Sequence, residues 1–330
     1  MVDAHLSLGA LEEKESKWNQ AVELYNQAIK LSREQNQIET AIIRFLRAHT
    51  QAGTLSKGTL EIRRLARERP DIGALGFYAI ARFYFEDGNY DATLSELDNF
   101  IGTQPDSTWV PAARLLIAES FYKKKDQEAA IARLTSLIQE KKNPEVLRQA
   151  RLRLAEIHYE SGNFSAASEQ FLALGGPDQP QLGEEAAYRG LISLAKTDQV
   201  ESFEKERKLF ATRYPKSSRE SDLILEQASM LDRLGRGEEA RKLYESLQSA
   251  SSNNKAEALL RLGRSAASVN DHEKALSVLQ QLEKEHPDYS HLDQAVYIRI
   301  LSQIAWANST RNSPARNTKI SSPASPAPPK

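Results

Sequence analysis

One pattern constrains this chain more than any other feature: a short set of small and large apolar residues that recurs along its length. The clearest copies run from Gly9 through Ala21, Tyr25 and Ala28, from Ala155 through Ala167, Phe171 and Leu174, and from Gly263 through Ala275, Leu279 and Leu282. In each, alanine follows the small residue by twelve positions, a large apolar residue comes four later, and another apolar residue three beyond that. Such self-similarity points to stacked copies of one unit, because a single copy cannot bury its own apolar face.

Offsets of three and four fall on one face of an α-helix. The small and alanine positions then mark where two antiparallel helices approach closely, and a large side chain there would force them apart. Turn signals separate the paired helices at Glu86-Asp87-Gly88-Asn89, Lys124-Lys125-Asp126, Ser161-Gly162-Asn163 and Leu234-Gly235-Arg236-Gly237. Prolines Pro70, Pro105, Pro144, Pro215 and Pro287 close one pair or open the next. Nothing reads as a strand. Slots at positions 9, 46, 81, 118, 155, 191, 228 and 263 give eight helix pairs. Two copies are irregular: the second has Leu46 and Gly58 in these slots, and the sixth has Leu191, Phe203 and Arg207. The interval inside each pair is constant, so variable residues belong between pairs. Asp106-Ser107-Thr108, Ser217-Ser218 and Ser251-Ser252-Asn253-Asn254 are expected there, each providing an N-cap for the following helix.

The pattern resembles the tetratricopeptide repeat family over about residues 1 to 290. Slots Gly9, Ala81, Ala118, Ala155, Ala228 and Gly263, with Ala21, Thr93, Ala130, Ala167, Ala240 and Ala275 twelve positions on, carry the likeness. Slot spacings of 35 to 37 residues exceed the family's usual value of about 34. The resemblance implies an all-α fold, a right-handed superhelical solenoid of about eight pairs over residues 1–307. His291 to Ala307, with Val296, Ile300 and Ile304 at helical spacing, is expected to close the eighth pair as a single cap. Residues 308–330 hold five of the thirteen prolines and no acidic residue, which reads as a disordered basic tail.

The resemblance also implies a non-catalytic scaffold that takes a protein or peptide in a concave groove lined by first helices, without a cofactor. Groove-facing positions lie three before, one after and four after the slot. They include Tyr78, Arg82, Phe85, Glu119, Tyr122, Glu156, Tyr159 and Tyr188, a concentration of aromatic and charged side chains of the kind that anchors partners. The same residues could instead pack between neighbouring pairs, and the sequence leaves both readings open. No asparagine stands one position after any slot, so a clamp for a C-terminal carboxylate is not expected. The segment Phe210-Ala211-Thr212-Arg213-Tyr214-Pro215-Lys216-Ser217-Ser218 resembles the inter-repeat signature of bacterial cell-envelope members that assist outer-membrane assembly or accompany the Tol–Pal system. The array begins almost at Met1 without a cap, which fits a divided protein and suggests an alternative role as the interaction module of a larger one.

Other chemistries find little support. The chain has no cysteine, which removes disulfides, thiolate zinc sites and cysteine nucleophiles together. Gly53 and Gly58 have the interval of a phosphate loop, but Thr59 stands where lysine is required. The six histidines form no helical ligand pair, and His158 occupies an aromatic slot. A formal net charge of −1 gives no general attraction to nucleic acid. The local cluster Arg63, Arg64, Arg67 and Arg69 is diluted by Glu61 and Glu68 and lacks interleaved aromatics. No apolar run reaches the roughly 18 residues that a membrane span requires. Met1 to Leu11 lacks the basic-then-apolar layout of an export signal.

Overall fold

A computed structural model describes residues 1–174, 180–247 and 252–311. Among the described residues there are seventeen α-helices and no strand. The chain divides into two compact units, Met1–Leu174 and Gly175–Lys330. The first unit pairs α1 (Val2–Lys14) with α2 (Trp18–Leu31), α3 (Gln35–Gln51) with α4 (Leu55–Glu68), and α5 (Gly73–Glu86) with α6 (Tyr90–Thr103). It continues with α7 (Val110–Lys123) against α8 (Gln127–Glu140), and α9 (Pro144–Glu160) against α10 (Phe164–Leu172). The second unit pairs α11 (Pro180–Ala195) with α12 (Val200–Arg213), α13 (Glu220–Arg233) with α14 (Gly237–Ser246), and α15 (Ser252–Ser268) with α16 (His272–Glu285). A last helix, α17 (Leu292–Arg311), packs on α15 and α16. The eight expected pairs are therefore present. Helix α17 runs four residues past the boundary expected at Ala307, and residues 312–330 of the expected tail lie outside the described residues.

One backbone position sets the angle inside every pair. Seven residues after each slot the chain enters the left-handed region: Ser16, Gly53, Gly88, Lys125, Gly162, Asp198, Gly235 and Asn270 have φ between 56° and 78°. This reverses the chain in one step and brings the second helix back antiparallel. Only four of the eight are glycine, the residue that adopts this conformation without steric cost. The next residue caps the second helix. Asn89, Asp126, Asn163 and Asp271 accept hydrogen bonds from the amides of Ala92, Ala129, Ala166 and Lys274 at 3.0 to 3.4 Å.

The slots are filled as the spacing requires, with one refinement. The side chain lying over the small slot comes from the residue sixteen positions on, above all Tyr25 over Gly9 and Leu279 over Gly263. Ala155, Ala167 and Phe171 meet in the same way in the fifth pair, all buried. The irregular pairs place their bulk at other positions. In the second, Leu46 is fully buried and the space is returned at Gly58, where a Cβ would lie 2.7 Å from Cδ2 of His49. In the sixth, Leu191 and Phe203 fill the interface, and Arg207 turns away to Gln227 and Glu220. Cores tolerate such exchanges when summed volume is preserved.

Two expectations about helix starts are corrected. Ser107 and Ser217 do not cap α7 and α13: those helices are preceded by Trp109 and Arg219, neither of which makes a side-chain cap. Each serine hydroxyl instead accepts from the amide two residues on, at 3.2 and 3.1 Å, forming a turn before the helix. Of the expected connection Ser251 to Asn254, Ser251 lies outside the described residues, and Ser252, Asn253 and Asn254 already belong to α15. The arginine cluster of α4 is consumed locally. Arg63 pairs with Glu96 at 2.5 Å, and Arg64 sits between Glu61 and Glu68. Arg69 donates to the carbonyls of Ile29 and Ser32 at 2.7 and 3.0 Å, satisfying the C-terminal end of α2 from outside.

Candidate functional site

In the first unit each first helix touches the next first helix as well as its own second helix, so α3, α5, α7 and α9 present neighbouring faces. The residues expected in the groove fall on these faces, except Tyr188, which lies on α11 of the second unit. Their surroundings differ.

Tyr78 is a packing residue and not a surface anchor. It is only 8% exposed, and its ring centroid lies 5.1 Å from that of Trp109, which covers it from the start of the next first helix. Burial pushes its phenol up to about 12. Phe85 is half-buried, edge-on to Tyr90 at 5.5 Å across its own turn. Both placements follow the packing alternative that the sequence left open.

Arg82 belongs to a chain of alternating charges. Its guanidinium lies 3.0 Å from Glu39 and 3.5 Å from Glu86, and Glu86 reaches Arg47 at 3.2 Å. These groups line a cleft of about 280 Å³ between α3 and α5, together with Asn36, Thr40, Ile43 and Arg44.

A second cluster joins α7 to α9. Arg153 approaches Glu119 at 3.8 Å and Glu156 at 2.8 Å, and its guanidinium carbon sits 5.4 Å from the centre of the Tyr122 ring. The Tyr122 hydroxyl donates to Glu160 at 2.6 Å, which raises the phenol's pKa. Burial lifts the Glu119 carboxyl above the usual carboxylate range, against the pull of Arg153 and Arg82. Glu119 and Glu156 thus share Arg153, Arg82 and Lys123 also act on Glu119, and Glu160 joins through the Tyr122 hydroxyl. Tyr159 stands beside it, 37% exposed, with its edge against Phe164 at 5.3 Å. The structure therefore brings Glu119, Tyr122 and Glu156 together and leaves Tyr159 open to solvent next to them. Sequence reasoning missed Arg153 and Glu160. Their signal was the spacing of Arg153, Glu156 and Glu160 by three and then four along α9, which marks one helix face.

In the second unit, Arg219 stacks over half-buried Tyr188 at 4.3 Å and pairs with Glu185 at 2.5 Å. A larger cleft of about 630 Å³ is lined by Arg233, Arg241, Arg261 and Arg264. Each has a polar partner: Asp198 at 3.0 Å, Glu238 at 3.4 Å, Glu257 at 2.6 Å and Gln294 at 2.9 Å, respectively. Among the described residues no group of three or more histidines or carboxylates is placed to hold a metal ion, and no helix is long and apolar enough to cross a membrane.

These features define an all-α protein of repeated antiparallel helix pairs, with polar clusters on the faces of its first helices. The sequence model of a tetratricopeptide repeat-like domain matches residues 73–176, and that of a tetratricopeptide repeat matches residues 257–289. Over these stretches the chain carries tetratricopeptide-type repeats. Among solved structures it is similar to the C-terminal part of a TPR repeat-containing protein from Cytophaga hutchinsonii. That likeness has a TM-score of 0.51 at 12% identity, over 77% of this chain and 98% of the other. PilF of Pseudomonas aeruginosa gives 0.37 at 15% identity, over 68% and 96%. The TPR2AB domain of yeast Sti1, solved in complex with pHSP90, gives 0.31 at 16% identity, over 93% and 98%. Identities this low speak to the fold alone. A search of curated proteins finds no match.

Proposed function

We propose that the chain is a non-catalytic scaffold that binds an extended peptide or protein segment on the first-helix face of its first unit. The cluster of Glu119, Tyr122, Arg153, Glu156 and Glu160, with Tyr159 exposed beside it, carries this reading. These side chains hold one another in place before any partner arrives, which lowers the ordering cost of binding. The grouped carboxylates can accept hydrogen bonds from a polar segment, and Tyr159 offers an amphipathic ring to its backbone.

Peptides selected from a displayed random library on the full chain provide the test. Tyr122→Ala and Tyr159→Ala should each weaken them, an anchor residue costing about 2 kcal/mol or more, while Glu128→Lys on a second helix has little effect. Peptides that bind both tyrosine variants as well as the parent would sink the proposal.

A role in a bacterial cell envelope rests on the Phe210 to Ser218 segment and the long repeat spacing. The alternative is an interaction module of a larger protein. Genomic sequence upstream separates them: a lipoprotein signal supports the first, and further repeats or a catalytic domain support the second.

A further inference from the structure

Helix α17 was expected to close the eighth pair, with Val296, Ile300 and Ile304 at helical spacing. In the structure Val296 is half-buried, whereas Ile300 and Ile304 are exposed. Ala295 and Ser302 are buried against the preceding pair, Ile298 is half-buried, and Arg299 donates to Glu283 at 2.6 Å. The opposite side exposes Tyr297, Ile300, Leu301 and Ile304, each between 45% and 64%. The helix is therefore apolar on both sides, a pattern that belongs to elements with neighbours on both sides.

The exposed residues have a familiar spacing. Tyr297, Ile300, Leu301 and Ile304 follow the same offsets of three, four and seven as Leu259, Leu262, Gly263 and Ala266 of α15. That α15 face is fully covered, with Leu279 of α16 lying over Gly263. Helix α17 thus presents the face of a first helix whose second helix is missing. Residues 312–330 contain five prolines and a single large apolar residue, Ile320, so this segment offers no matching set.

We propose that the missing helix is α17 of a second copy of this chain, packed antiparallel about a two-fold axis near Ile300 and Leu301. The four residues are symmetric about that point. In the antiparallel arrangement Tyr297 lies opposite Ile304 of the second copy, and the Ile300–Leu301 step meets itself. The only charged residues of α17 are Asp293, Arg299 and Arg311, so none intrudes on the face: Arg299 is engaged on the other side and the other two lie towards the ends. Covered completely, these four residues offer roughly 400 Å² per copy, or about 800 Å² in all, the size of a weak, reversible contact rather than of an obligate interface. The closed two-fold arrangement uses one self-complementary patch, so the contact ends at two copies.

Analytical ultracentrifugation of the full chain over about 1 to 100 µM should show a reversible dimer, the affinity range suited to an interface of this size. Leu301→Glu should weaken it at least about tenfold, because a carboxylate would be buried without a partner. Leu60→Glu, at an exposed leucine of α4, should leave the dimer intact, and circular dichroism should show unchanged helix content in both variants. Since the chain has no cysteine, Leu301→Cys introduces its only thiol, and mild oxidation should trap a covalent dimer. A monomer at the highest concentration would overturn the proposal and assign the face to a helix of another protein. A dimer that survives Leu301→Glu, or that fails to cross-link through position 301, would also overturn it.

Discussion

Gly263 and Leu279 offer a test of how the helix pairs are built, because the structure requires a substitution there to change sign with its background. A methyl group at Gly263 would lie 2.5 Å from both Cγ and Cδ2 of Leu279, closer than carbon atoms can approach. Leu279 is fully buried and has no route to solvent. Forcing the contact costs about 2 to 3 kcal/mol, the upper part of the range for overpacking. Alanine in a helix interior recovers roughly 1 kcal/mol over glycine. Gly263→Ala should therefore destabilise the second unit by about 1 to 2 kcal/mol. Leu279→Ala removes the obstruction and leaves a cavity, at about 2 to 5 kcal/mol. In that background Gly263→Ala should become stabilising by about 1 kcal/mol, since the helix gain remains and the clash is gone. Urea denaturation of the full chain, followed by circular dichroism and fitted to the transition that responds to both substitutions, measures all three values. A midpoint that moves in the same direction in both backgrounds would refute the close-approach account of the slot.

Other positions test other parts of the reasoning. Lys125→Gly should stabilise the first unit by about 0.5 to 1 kcal/mol by relieving a left-handed residue, and Gly162→Ala should cost about 1 to 2 kcal/mol at the equivalent turn, both read from urea midpoints. Arg69→Ala should destabilise by about 1 to 3 kcal/mol, because carbonyls at the end of α2 lose their donors, and Arg69→Lys should rescue this only in part. Burial holds the His49 imidazole below its usual 6.5, so the unfolded chain takes up the proton first. Its contribution is complete above about pH 6.5 and is lost as pH falls from there through the folded value; a melting temperature between pH 7.5 and 5 that falls less steeply in His49→Phe would confirm the sign.

Much of this architecture was legible in the sequence, for a physical reason. The slot, the alanine twelve positions later and the turn between them all serve one contact between two helices, so their spacing is fixed locally. The second and sixth pairs were readable only through spacing: Leu46 with Gly58 shifts bulk from one helix to the other, and Leu191 with Phe203 fills the space that Arg207 vacates by turning away. What depends on a neighbouring pair was not readable. Tyr78 matched the groove position, yet Trp109, thirty-one residues later, decides that it is covered. The apolar residues of α17 were found, but both of its sides are apolar, so the pattern could not tell which one faces inwards. Arg153 and Glu160 were passed over because single charges on a helix look solvated until a tyrosine from the preceding pair is placed beside them.

The left-handed residue seven positions after each slot also determines where this chain can change length. One residue added between slot and turn would rotate everything beyond it by about 100° around the helix axis. The face meant for the partner helix would then point sideways, and the pair would come apart at its core. The same residue added between two pairs alters only how one finished pair meets the next. Insertions and deletions should therefore survive in the connections, such as the one around Asp106 to Trp109, and be lost within the pairs. The slot intervals of 35 to 37 residues, combined with an invariant seven-residue step to the turn, are the trace such a history would leave.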